Sequence, residues 1–103
     1  MLNNAAGFER IFIVCGYTDL RYGIDGLITN LKTEYNINPF RENILFLFCG
    51  RSSRKIKGVV FEGDGFLLLY KRLETGHFQW PRNKNEAMNI TQEQFEWLMK
   101  GFV

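Results

Sequence analysis

Two apolar runs around a short glycine-containing link limit this fold more than any other feature. "KIKGVVFE" (55–62) and "FLLLYKRL" (66–73) flank "GDG". Runs rich in branched and aromatic residues read as strands, and such a link is a strong hairpin signal. A turn at Gly63–Asp64 also sets the register. It places residue 57 opposite 70 and residue 55 opposite 72.

The remaining elements follow from spacing. "IFIVC" (11–15) and "ILFLFC" (44–49) read as buried strands. Between them Ile24, Leu27, Ile28, Leu31 and Tyr35 recur at helical intervals and form one apolar face. Thr18 or Asp19 is placed to cap that helix, and Pro39 stops it near Asn36. "HFQWP" (77–81) reads as a short strand closed by Pro81, and "RNKNEAMN" (82–89) as a polar linker. Thr91 and Gln94 have capping-box spacing, with Ile90 and Phe95 at the positions of a hydrophobic staple. Phe95, Leu98, Met99 and Phe102 then form an apolar stripe, and Trp97 lies off it. Short links between the later strands favour antiparallel pairing. The expected fold is α+β: a single domain with a mainly antiparallel sheet of about five strands, one helix after the first strand and one C-terminal helix. With 103 residues, 46% hydrophobic and ten Phe, the chain can fill such a core without disulfides.

A strand, a glycine and a helix in succession is also where many proteins hold a phosphate. "CGYTDLRYGIDGL" (15–27) has that order. Gly16, Gly23 and Gly26 nevertheless fit neither dinucleotide nor P-loop spacing. Asp19, read as lying in the first helical turn, would already occupy the positive end of the helix dipole. Gly23 and Gly26 each cost about 1 kcal/mol inside a helix. They are three apart on one face, so close backbone approach to a strand or a partner explains them. Arg21 is placed to pair with Asp25, four residues on.

Few side chains suit catalysis or metal binding. Cys15 and Cys49 sit in apolar runs and read as buried thiols. One His and no C-x-x-C pair leave a zinc site short of ligands. The acids Asp19, Asp25, Glu62, Asp64 and Glu74 fall at caps, turns or helix surfaces, and His77 has no nucleophile beside it. The reading is a non-enzymatic protein with no catalytic residues, no metal and no cofactor. No apolar run approaches 18 residues and the N-terminus lacks a signal-peptide pattern, so no membrane is expected and a cytoplasmic location is.

Charge is informative locally. The net value of +2 makes no whole-chain case for nucleic acid. "RSSRKIK" (51–57), however, carries Arg51, Arg54, Lys55 and Lys57 with no acid, and the hairpin register gathers Lys71 and Arg72 at the same end. These six are candidate nucleic-acid contacts. Tyr70, His77 and Trp80 on neighbouring strands are placed to stack on bases. Gly23, Gly26 and Trp97 are candidate partner contacts.

Several blocks carry a family resemblance. "GYTDLRYGIDGL", "LFLFCGR", "IKGVVFEGDGFLLLYKRLETGHFQWP" and "TQEQFEWLMKG" resemble the small accessory protein of insertion sequence 66-type transposable elements, the TnpB type encoded by the second reading frame. The likeness spans roughly residues 11–101. Arg54 stands where that family usually has Asp, Lys55 where it has Arg, Phe61-Glu62 where Trp-Asp is commoner, and His77 where a basic residue is usual. The resemblance implies that 1–103 is one accessory-protein domain of a bacterial element that serves DNA transposition beside a separate transposase. It implies no catalytic residues. The expected partners are the transposase of the same element and double-stranded DNA of the element ends. The alternative is a pure protein–protein adaptor for the transposase without direct DNA contact.

Overall fold

The computed structural model describes residues 7–83 and 85–100. In chain order the elements are β1 (Arg10–Val14), α1 (Ile24–Tyr35), β2 (Ile44–Cys49), β3 (Lys55–Phe61), β4 (Phe66–Arg72), β5 (Ala87–Ile90) and α2 (Gln92–Lys100). The five strands form one sheet in the order β4-β3-β2-β1-β5. β1 and β2 run parallel, joined by a crossover through α1, and every other pair is antiparallel. The α+β expectation is met.

Burial follows from covering this sheet on both faces. Leu27 and Leu31 of α1 pack with Val14, Phe46, Phe48 and Val59 on one side. Phe95, Leu98 and Met99 of α2 pack with Ile11, Ile13, Leu45, Leu47 and Ile56 on the other. The central strand β2 is therefore buried at all six positions, and so its sequence is a continuous apolar run with no polar alternation. Cys15 and Cys49 are buried thiols, as read. No helix among the described residues is long and apolar enough to cross a membrane.

The β3–β4 hairpin has the expected register, Lys57 opposite Tyr70 and Lys55 opposite Arg72. Glu62 N–H donates to Gly65 O at 2.9 Å across the turn. Gly63 takes φ +94°, as the first central residue of a two-residue hairpin turn of this kind requires.

The fifth strand is not where the sequence placed it. Residues 77–81 form no strand of the sheet. Phe78 and Trp80 instead turn into the α2-side core, and the Trp80 indole N–H donates to Val14 O at 2.9 Å. The strand comes from the segment read as a linker: Ile90 pairs with Ile11, and Met88 with Ile13. Ala-Met-Asn-Ile has little intrinsic strand preference; the open edge of β1 imposes the conformation.

The start of α1 is also corrected. Its N-cap is Gly23, with no side-chain cap. Thr18 is buried and its N–H donates to Cys49 O at 2.9 Å, so neither it nor Asp19 caps the helix. A Cβ on Gly23 would meet nothing within 4 Å, so no strand of this chain crowds it. A Cβ on Gly26 would come within 2.8 Å of the Tyr22 side chain, one turn back in the same segment. The helix ends as expected, at Asn36 in the left-handed conformation.

At α2 the capping box forms in both directions. Thr91 N–H donates to Gln94 Oε1 at 2.8 Å and Gln94 N–H to Thr91 Oγ1 at 3.1 Å. Ile90 and Phe95 join the same buried cluster, and Phe102 lies outside the described residues. Thr91→Ala is expected to cost about 1 kcal/mol, measured as a lower urea midpoint at unchanged slope. An unchanged midpoint would mean that the cap adds nothing to the docking of α2.

Candidate functional site

The parallel strands β1 and β2 end side by side, and their following loops build one wall of an open groove. Tyr17, Thr18, Asp19, Leu20 and Arg21 come from the first loop, and Gly50, Arg51 and Ser52 from the second. The exposed end of the hairpin supplies Lys55, Lys57, Leu68 and Tyr70. The groove encloses about 870 Å³. It lies on the α1 side of the sheet, because Lys57 and Tyr70 share a face with Val59 and Leu68.

Arg82 fixes the two loops. Its guanidinium donates to Gly16 O at 2.8 Å, to Gly50 O at 2.6 Å and to Cys49 Sγ at 3.5 Å. A planar fork of donors suits two converging carbonyls, which a lysine would not reach together. Thr18 adds a main-chain bond to the end of β2. Burial pushes the Cys49 thiol up, against the smaller downward pull of Arg82, so it stays a neutral thiol. Tyr17 lies over the Arg82 guanidinium at 4.3 Å, with Arg51 at 5.5 Å from the same ring. Tyr17 nonetheless remains 61% exposed and Tyr70 55%, so the rings line the groove and are open to a ligand.

The structure sorts the six basic candidates into three groups. Arg51, Lys55 and Lys57 line the groove, and none of them joins an ion pair among the described residues. Lys57 donates to Tyr22 O at 3.0 Å and lies 6.0 Å from the Tyr70 ring. Arg54 and Arg72 turn to Glu74: Arg54 donates to its carbonyl at 3.3 Å and Arg72 to its carboxylate at 2.8 Å. Lys71 is on the opposite face. It pairs in register with the buried Ile56, and its Nζ donates to Met99 O at the end of α2. Burial lowers its pKa. Adjacent residues on a strand point to opposite faces, so Lys71 and Arg72 cannot serve one surface.

The aromatic and partner candidates divide as well. Trp80 is buried and is not available for stacking, whereas His77 is exposed and lies 3.2 Å from Ser53 Oγ. Trp97 is 58% exposed on α2. Gly26 in α1 and Gly23 at its N-cap lie across the sheet from it. Tyr17 and Arg82 were not singled out from the sequence. Nothing local marks Arg82, since its acceptors lie more than 30 residues away in the chain.

Asp19 is held by Arg21, not Arg21 by Asp25. The Arg21 side chain meets the Asp19 carboxylate at 2.6 Å, and Arg21 N–H adds a bond at 3.0 Å. Those hydrogen bonds lower the Asp19 pKa from 3.8 to about 2. A depressed carboxylate favours the fold above its unfolded pKa, and that preference fades as pH falls from about 4 toward 2. Carbon-detected titration is expected to show Asp19 still ionised at pH 3 in the native protein and protonating near 4 in Arg21→Ala. Equal midpoints in the two proteins would remove this ion pair from the groove's wall.

Fold and groove together define a small α+β protein with a cationic, tyrosine-lined cleft at the ends of its parallel strands. The chain belongs to the IS66 Orf2-like protein family, which it matches over residues 9–103. That makes it an accessory protein associated with transposition of an insertion sequence. It is 36% identical to the uncharacterized protein y4hO of Sinorhizobium fredii over 92 residues, 89% of this chain and 79% of the relative. It is 28% identical to y4jC of the same organism over 92 residues, 89% of this chain and 78% of that relative. No solved structure matches the chain.

Proposed function

We propose that this accessory protein binds DNA of its own element in the groove. Arg51, Lys55 and Lys57 would contact phosphates, and Tyr17 and Tyr70 would offer their ring faces to bases. The observation that carries the reading is the pairing, on one surface, of two exposed tyrosine rings with three cations that join no ion pair among the described residues. Cations attract the backbone of any sequence, and aromatic faces accept any base. Arg54 and Arg72 extend the positive rim past Glu74, whereas Lys71 belongs to the other face. The transposase of the same element is the natural second partner.

The adaptor reading rests on Trp97, an exposed aromatic on α2 across the sheet from the groove. One titration separates the two. Labelled duplexes carrying the element's end or a scrambled sequence, and the corresponding single strands, are titrated with purified protein across a salt series. Binding by the protein alone that weakens steeply with salt is the expected result. Binding that appears only when transposase is added would overturn it in favour of the adaptor.

A further inference from the structure

β4 is an outer strand of the sheet, with β3 on one side and, among the described residues, no strand on the other. The ladder with β3 uses alternate residues of β4. Leu73 N–H donates to Arg54 O, and Gly65 O accepts from Glu62 N–H. Antiparallel alternation then turns the main-chain groups of Phe66, Leu68, Tyr70 and Arg72 outward.

Edge strands of monomeric proteins are usually blunted by proline, a bulge, shortness or an inward charge. β4 has seven residues, no proline, and an unbroken register with β3, and its charges, Lys71 and Arg72, stand only at its last two positions. Phe66, Leu67, Leu68 and Leu69 are only half-buried, and Tyr70 is exposed.

We propose that this edge pairs with the same edge of a second copy of the chain, antiparallel about a two-fold axis at Leu68. That register sets Leu68 against Leu68, Phe66 against Tyr70, and Asp64 against Arg72. Phe66, Leu68, Tyr70 and Arg72 have the parity that turns the main chain outward, so Leu68 with Leu68 and Phe66 with Tyr70 form hydrogen-bonded pairs of the new ladder, while Asp64, in the hairpin turn, meets Arg72 through its side chain at the ladder's end. Aromatic meets aromatic and acid meets base, both stabilising cross-strand combinations. A register centred on Leu69 also keeps the faces aligned, but it sets Asp64 against Glu74 and Leu67 against Lys71. Charge complementarity selects the first. Arg72 already holds its own Glu74 through Nε and Nη2, and its remaining guanidinium donors are available to a second carboxylate. The interface is self-complementary, as a two-fold dimer requires, and one sheet runs through both copies.

Sedimentation equilibrium without DNA tests this. The wild-type protein is expected at about twice its 12.1 kDa chain mass. Asp64→Arg sets arginine against Arg72, and Arg72→Glu sets glutamate against Asp64. Each is expected to halve the mass while circular dichroism keeps the native signature, since both side chains are exposed. Mixed in equal amounts, the two variants place every arginine opposite an acid, and the doubled mass is expected to return. A wild-type protein of single-chain mass overturns the proposal and leaves the edge to a strand of another protein. A dimer indifferent to both substitutions overturns it as well, by placing the contact elsewhere.

Discussion

Trp80→Ala is expected to remove about 3–5 kcal/mol of stability, a large part of the roughly 5–15 kcal/mol that holds a typical domain folded. The indole is 7% exposed and packs with Phe78, Phe95 and the β1–β2 side chains of the α2-side core. Its N–H also satisfies Val14 O at the end of β1. Truncation therefore opens a cavity and removes a buried hydrogen bond at once. Trp80→Phe separates the two effects, because it keeps most of the volume and loses the donor. It is expected to cost about 1–3 kcal/mol. Urea unfolding of the three proteins measures both. If Trp80→Ala lost less than Trp80→Phe is expected to lose, the segment 77–81 would not be the core element described.

The double variant Lys55→Ala/Lys57→Ala is expected to reduce the slope of log K against log salt by about 1.8, since each duplex phosphate that a protein cation neutralises adds about 0.9. The fold should be unaffected. Lys55 is exposed, and Lys57 gives one hydrogen bond, to the Tyr22 carbonyl beside solvent. Lys71→Ala is the matched control. It removes one charge from the same hairpin, on the opposite face, and should leave the slope unchanged. Tyr70→Ala should weaken binding of single strands by about 1–3 kcal/mol with little change in slope, as removal of a stacking surface does. A slope that fell by about 0.9 for Lys71→Ala, half the loss of the double variant, would point to a diffuse charge effect, and the groove would lose its claim.

What the sequence disclosed depended on whether a residue's neighbours are close in the chain. The hairpin register followed from one turn, because its partners lie within a few residues of Gly63. The capping box at Thr91 and Gln94 followed for the same reason. β5 was missed because its partner is β1, at the other end of the chain, and Ala-Met-Asn-Ile carries no strand signal of its own. The basic cluster was legible as composition but not as geometry. Counting Lys71 with Arg72 ignored the alternation that sends them to opposite faces, and Glu74 claims Arg72. Arg82 was illegible locally, since its role depends on where Gly16 and Gly50 come to rest.

The place of β1 in the sheet has a consequence for synthesis. It lies between β2 and β5, the strand just before the final helix. A ribosome delivers β1 well before its second neighbour, so the nascent chain carries an apolar strand with one open edge until residues 87–90 emerge. Closing that edge means joining residues far apart in sequence, Ile11 with Ile90, and such distant pairings form slowly. Truncation beyond residue 86 would leave that edge permanently open. The expected phenotype of such a truncation is aggregation, even though the groove's own residues would all be present.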